Sequence, residues 1–151
     1  MKPRGVVLHT VGVRGDATVE GITDYHVRVN GWKTNGYHYL VTKDGVAHRT
    51  PRGLDQAGAH TQGANDSLGV CVAGDGDAEP WRLAQWRGVL ALLVDLCQKY
   101  GFGAEDVCGH REAPARLRAA PTPKSCPGRL VDLDEVRAEL AAALAAARRA
   151  P

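Results

Sequence analysis

The four cysteines, at positions 71, 97, 108 and 126, include no Cys-x-x-Cys pair, which argues against a ribbon-type structural zinc site. No apolar run approaches the roughly 18 residues of a membrane-spanning helix, so stable membrane insertion is not expected. No dense basic stripe interleaved with aromatics accompanies the net charge of +2, and a nucleic-acid partner is not expected either. The opening Met1-Lys2-Pro3-Arg4-Gly5 has neither the long apolar stretch nor the small-residue cleavage site of a secretory signal peptide. Synthesis in a cytoplasm is therefore expected, and a reducing compartment argues against disulfides. Internal repeats are absent as well. What remains is a chain of 151 residues, 44% hydrophobic and 24% charged, expected to form one domain over 1–151 with its own core.

Periodicity supplies the order of elements. Gly5 to Val11 reads as a buried strand bounded by glycines. Asp16 is placed to cap a first helix with Val19, Ile22, His26 and Val29 on one face, ending near Asn30-Gly31. Tyr37 to Thr42 and Val46 to Arg49 read as strands joined by the hairpin signal Lys43-Asp44-Gly45. A connection over 51–65 carries Gly53, Gly58 and Gly63, and Leu68 to Ala73 is a further buried strand. Pro80 fits the first turn of a second helix with Leu83, Trp86, Leu90, Leu93 and Cys97 on one side and Gly101 past its end. Asp106 to Cys108 reads as a short strand, and residues 111–130, with Pro114, Pro121, Pro123 and Pro127, as a long loop. A last helix starts at Asp132, with Glu135 completing a capping pair and Leu133, Val136, Leu140 and Leu144 forming its apolar face. This order predicts an α/β protein with a mixed central sheet flanked by helices.

Three residues sit where chemistry is expected. His9 ends the apolar run Val6-Val7-Leu8, His110 follows the short strand, and Cys126 lies in Lys124-Ser125-Cys126-Pro127-Gly128. Two imidazoles and a thiolate suit zinc, and three protein ligands leave the fourth tetrahedral position open for water. A closed structural site normally uses four. Cys71 and Cys97 read as small core hydrophobes. Cys108, two residues before His110 and on the same strand face, is a second-rank candidate for a place near the metal.

With their flanks, these residues form an ordered set: Val7-Leu8-His9-Thr10, Gly36-Tyr37-His38-Tyr39, Ala57-Gly58-Ala59-His60, Asn65-Asp66-Ser67-Leu68-Gly69-Val70, Gly109-His110-Arg111-Glu112 and Lys124-Ser125-Cys126-Pro127. The set resembles the zinc-dependent N-acetylmuramoyl-L-alanine amidases, a family that includes phage endolysins and the peptidoglycan recognition proteins. The likeness runs from about Gly5 to Leu133. It implies one Zn2+ per chain on His9, His110 and Cys126, and a monomer. It also implies peptidoglycan, with its muropeptide stem, as the partner. The reaction would cleave the amide between N-acetylmuramic acid and L-alanine, after the enzyme's release or delivery to the cell wall.

Tyr37 and Lys124 are expected beside the metal, since phage amidases of this family use a tyrosine and a lysine at these motif positions. Lys124 lies two residues before Cys126, and an extended loop sends both side chains to one side. Its ammonium suits a developing oxyanion, and the Tyr37 phenol offers a second donor. The resemblance places His60 and Asn65 in substrate contact. His26 reads as a helix-face residue, His48 as a hairpin surface residue and His38 as pointing away from Tyr37. Glu112 is either a carboxylate behind the metal or a loop charge. Two competing readings are a noncatalytic peptidoglycan-binding module and an interaction or regulatory protein acting through the terminal helix. Retention of Cys126 beside His9, His110, Tyr37 and Lys124 favours catalysis.

Overall fold

A computed structural model describes residues 1–149. Strands β1 (Val6–Thr10), β2 (Tyr39–Val41), β3 (Ala47–Arg49), β4 (Leu68–Val72) and β5 (Val107–Gly109) form one sheet in the order β3-β2-β4-β1-β5. β1 runs parallel to β4 and β5, β2 runs parallel to β4, and β3 is antiparallel to β2. The sheet is mixed, as the order of elements predicts. Helices α1 (Val19–Arg28), α2 (Leu83–Tyr100), α3 (Ala113–Leu117) and α4 (Leu133–Arg149) flank it. Among the described residues no helix is long and apolar enough to cross a membrane.

Strand alternation decides where the chemistry sits. Val6 and Leu8 of β1 and Val70 and Val72 of β4 join the main core with Val89, Leu93 and Leu96 of α2 and Val136 and Leu140 of α4. Successive strand side chains point to opposite faces, so Val7 and His9 look the other way. Val7 packs with Ala64, Cys108 and Ala113. Cys71, level with His9 on the neighbouring strand, packs with Leu40 and with Ile22 of α1. Two small apolar clusters therefore flank His9 on a face that α2 and α4 do not cover.

Several local expectations are corrected. Thr18, not Asp16, caps α1 through its hydroxyl, which accepts from the Gly21 amide. The Asp16 carboxylate instead accepts from the amides of Ala17 and Lys43, tying the loop before α1 to the β2–β3 turn. Pro80 lies before α2, which begins at Leu83. The buried stripe of α2 is Gln85, Val89, Leu92, Leu93, Leu96 and Cys97, with Leu83 left 63% exposed. The rotation follows from Gln85, whose amide donates to Ala73 O and accepts from Arg82 N, so a polar side chain is satisfied in the interior. Trp86 moves to the seam with α4, where its indole donates to Glu139. β5 starts at Val107, because Asp106 belongs to a 3-10 turn over Ala104–Asp106. The loop over 111–130 contains α3, which tolerates Pro114 in its first turn, where a missing amide costs nothing.

By contrast, Asp132 caps α4 through the amides of Asp134 and Glu135, and Leu133, Val136, Leu140 and Leu144 are its buried face, as read from the sequence. Leu93→Ala should lower the unfolding free energy by about 2–5 kcal/mol. Leu83→Ala should change it by no more than about 0.5 kcal/mol. Chemical denaturation of the two variants checks the orientation of α2; equal losses would contradict it.

Candidate active site

Three chain segments converge on His9. β1 carries it near its carboxyl end, and β5 delivers His110 on the 3-10 turn His110–Glu112 immediately after the strand. A proline-rich loop brings Cys126. One ligand atom from each of these residues lies within 4.8 Å of the others. The Cys126 Sγ is 3.6 Å from His9 Nδ1. Zinc bond lengths of about 2.3 Å to sulfur and 2.0 Å to nitrogen, at a tetrahedral angle, would put the two atoms about 3.5 Å apart. The donor set and its spacing fit a metal ion of this kind. Cys108, the second-rank candidate, lies outside this group: it is buried against Val7 and Ala113.

Electrostatics keeps the imidazoles ready to bind. Burial pushes the His9 pKa well below its ordinary value, helped by His60, His110 and Lys124. Burial and Lys124 lower that of His110. Both rings are thus neutral at pH 7, the form that ligates. Burial raises the Cys126 thiol to about 11 despite the Thr10 amide and the charges of Lys124 and Arg111. Those partners are arranged for a thiolate, and a metal ion would supply what burial withholds. The Tyr37 ring centroid is 4.9 Å from that of His9. Burial, with Cys71 and Cys126 nearby, holds the Tyr37 phenol well above its usual pKa, so it stays a hydrogen-bond donor.

The Cys126 loop is pinned by residues that sequence reasoning missed. The Thr10 amide donates to Cys126 Sγ at 3.3 Å, joining the end of β1 to the loop. Asp77 accepts from the Ser125 hydroxyl at 2.5 Å and from the Arg129 amide at 2.7 Å. The Arg111 guanidinium donates to the carbonyls of Ser125, Gly128 and Val131, and its own amide donates to Cys126 O. At Gly76 a Cβ would come within 1.9 Å of Pro127 O, so the two loops touch backbone to backbone. Asp77 and Arg111 stand plainly in the sequence, but the partners they hold are backbone atoms or distant residues, so no local pattern marks the clamp.

Tyr37, His60, Asn65 and Lys124 all line the same cleft of about 770 Å³ as His9, His110 and Cys126. A groove of about 1110 Å³ over α1 shares Trp32, Tyr37 and Lys124 with it. Asn65 uses its side-chain oxygen on the His60 amide, and both ring nitrogens of His60 are engaged, by His9 and by Ser67 O. His38 is buried behind the site, bonded to Gly69 N and Gln56 O. His26 is buried on α1 and accepts from the Gly36 amide, while His48 is exposed on β3. Glu112 accepts from the Gly109 amide and from the two terminal guanidinium nitrogens of Arg137, fixing the turn that carries His110.

Comparison with known proteins identifies the family and the fold. The sequence pattern of the N-acetylmuramoyl-L-alanine amidase family matches residues 1–129. The chain belongs to that family. It is 33% identical over 90 residues to the endolysin of Enterobacteria phage T3, an alignment that covers 54% of this chain and 57% of that endolysin. The chain therefore matches little more than half the length of this relative. The solved structure of the N-acetylmuramoyl-L-alanine amidase LysC from Clostridium intestinale superposes with a TM-score of 0.79 at 27% identity, covering 93% of this chain and 86% of that one. Drosophila PGRP-LB shares the fold, with a TM-score of 0.72 at 24% identity over 90% of this chain and 81% of its own.

Burial works against the Glu112 charge, but Arg137, the Gly109 amide and Arg116 together outweigh it and hold the carboxyl below its usual range. A depressed folded-state pKa stabilises above the unfolded value of roughly 4.3, and the gain is lost as pH falls through the folded pKa. Glu112→Gln should therefore lower Tm at pH 7 and flatten the fall in Tm below about pH 4.3. A thermal melt series from pH 7 to pH 3 measures it. An unchanged Tm at pH 7 would contradict the role given to the Glu112–Arg137 pair.

Proposed function

We propose that residues 1–151 form a single zinc amidase domain that hydrolyses the amide between N-acetylmuramic acid and L-alanine in peptidoglycan, in the manner of a phage endolysin. The observation that carries this reading is the convergence of His9, His110 and Cys126 at zinc-compatible spacing, in a cleft also lined by Tyr37 and Lys124. One zinc ion would be held by the three residues, and when bound it would supply Lewis acidity, polarising the scissile carbonyl and acidifying water. The space over α1 that adjoins the cleft, sharing Trp32, Tyr37 and Lys124 with it, leaves room for a substrate larger than the cleft alone would hold.

The chain's own residues divide the remaining work. Tyr37, kept protonated by its surroundings and hydrogen-bonded to Cys71, would offer its phenol as a donor to a substrate in the cleft. Lys124, exposed on the cleft rim, brings a positive charge that lowers the pKa of both histidines and of Cys126, and the same charge would stabilise a developing oxyanion. Asn65 holds the loop carrying His60 against the cleft wall. Action on the cell wall, and work as a monomer, belong to this proposal. A noncatalytic wall-binding module is the second reading. Five functional positions retained together, Cys126 included, weigh against it.

The purified protein should carry about one zinc per chain. Chelation should abolish turnover and leave the fold largely intact, because the core forms apart from the site. Unfolding on chelation would point instead to a structural metal. Cys126→Ser should lose zinc and activity, since a hydroxyl is not ionised at neutral pH as a metal-assisted thiol is. Lys124→Ala and Tyr37→Phe should keep zinc and lose roughly 10²–10³-fold in kcat, the scale of one oxyanion donor. Near-normal kcat in both would remove them from the mechanism.

A further inference from the structure

His60 has no place among the metal ligands, yet its ring is built into the site as firmly as theirs. Its Nε2 lies 3.0 Å from Ser67 O, and its Nδ1 lies 2.7 Å from His9 Nε2. The His9 and His60 planes differ by only 23°, and a centroid separation of 4.9 Å against an N···N distance of 2.7 Å sets the rings edge to edge. Two glycines make the space. A Cβ at Gly58 would fall 2.3 Å from His60 Nε2, and one at Gly69 would fall 2.6 Å from His60 Cε1. The backbone of His60 is held in turn by Asn65, whose side-chain oxygen accepts from its amide at 2.8 Å.

The chemistry of these contacts has one direction. A backbone carbonyl only accepts, so His60 Nε2 carries the hydrogen that meets Ser67 O. A neutral imidazole has a single N–H, which leaves His60 Nδ1 as an acceptor. The hydrogen in the His9–His60 bond therefore sits on His9 Nε2. His9 Nδ1 is left with its lone pair, and that atom is the one 3.6 Å from Cys126 Sγ.

We infer that His60 is a positioning residue: it relays the fixed polarity of the Ser67 carbonyl to His9, locking His9 in the Nε2–H tautomer with Nδ1 aimed at the metal. The inference rests on the metal-site reading above. It gives His60 a role distinct from substrate contact. A histidine ligand commonly donates its other N–H to a carboxylate or carbonyl. Here a second imidazole stands in between, so the acceptor is neutral and its orientation comes from a main-chain atom that no side-chain substitution removes.

Two measurements test the relay, and the first needs no metal. In the metal-free wild-type protein, long-range proton–nitrogen NMR on 15N-labelled histidine should show His9 protonated at Nε2 and bare at Nδ1. In His60→Phe, which fills the slot without an acceptor, His9 should become a mixture of tautomers, and zinc affinity by chelator competition should fall about 10–100-fold. His60→Gln carries an acceptor and a donor on one planar group and should recover part of that loss. Protonation of wild-type His9 at Nδ1 would overturn the inference, as would wild-type zinc affinity in His60→Phe, or equal losses in the Phe and Gln variants. Should His60→Phe fail to fold, the wild-type tautomer still decides. If wild-type His9 shows the expected tautomer but the protein binds no zinc, the metal reading falls while the His60–His9 bond stands.

Discussion

The site depends on one constraint: candidate ligand atoms from three segments, spread over 117 residues of chain, must meet within 4.8 Å. Two of them come from the sheet and cost little to place. β1 and β5 are hydrogen-bonded neighbours, so His9 near the end of one and His110 just after the other are brought together by strand pairing. Cys126 arrives on a loop and needs separate anchoring. The Thr10 amide, Asp77, the Arg111 guanidinium and the contact between Gly76 and Pro127 supply it. Arg137 and Glu112 do the same for the turn bearing His110. Much of the polar network around the cleft is explained as a means of holding this loop and this turn.

Burial gives the ligands their protonation states and also their difficulty. The same low-polarity surroundings that keep His9 and His110 neutral push the Cys126 thiol to about 11. The imidazoles could bind a metal as they stand, whereas the thiol would have to lose a proton for a metal to bind. Lys124 acts in a single direction on all three, since a nearby cation disfavours protonated imidazole and favours thiolate. One exposed lysine thus biases all three candidate ligands toward the form that binds a metal.

The sequence disclosed the architecture because its strands and its last helix follow simple periods. Val6-Val7-Leu8 and Leu68 to Val72 are continuous apolar runs, as expected of strands covered on both faces. Leu133, Val136, Leu140 and Leu144 keep strict helical spacing behind an Asp132 cap. The rotation of α2 was not legible, because it turns on a buried Gln85 whose partners, Ala73 O and Arg82 N, are set by the fold. Likewise α3 was hidden by Pro114, which reads as a breaker until the helix start is known. Within the site, residue types marked His9, His110 and Cys126 for a common place, and the structure brings them together. Asp77, Arg111 and the double engagement of His60 escaped notice for one reason. Their roles lie in contacts with backbone atoms, or with partners distant in the chain, which leave no local pattern.

The central claim is that this cleft hydrolyses the bond to L-alanine in peptidoglycan, and the product reports on it directly. Purified peptidoglycan incubated with the zinc-loaded protein should release stem peptides with newly exposed L-alanine amino termini, at a rate proportional to enzyme, with no new reducing sugar ends. New reducing ends, amino termini on a residue other than L-alanine, or binding to the wall with no new termini would contradict the account.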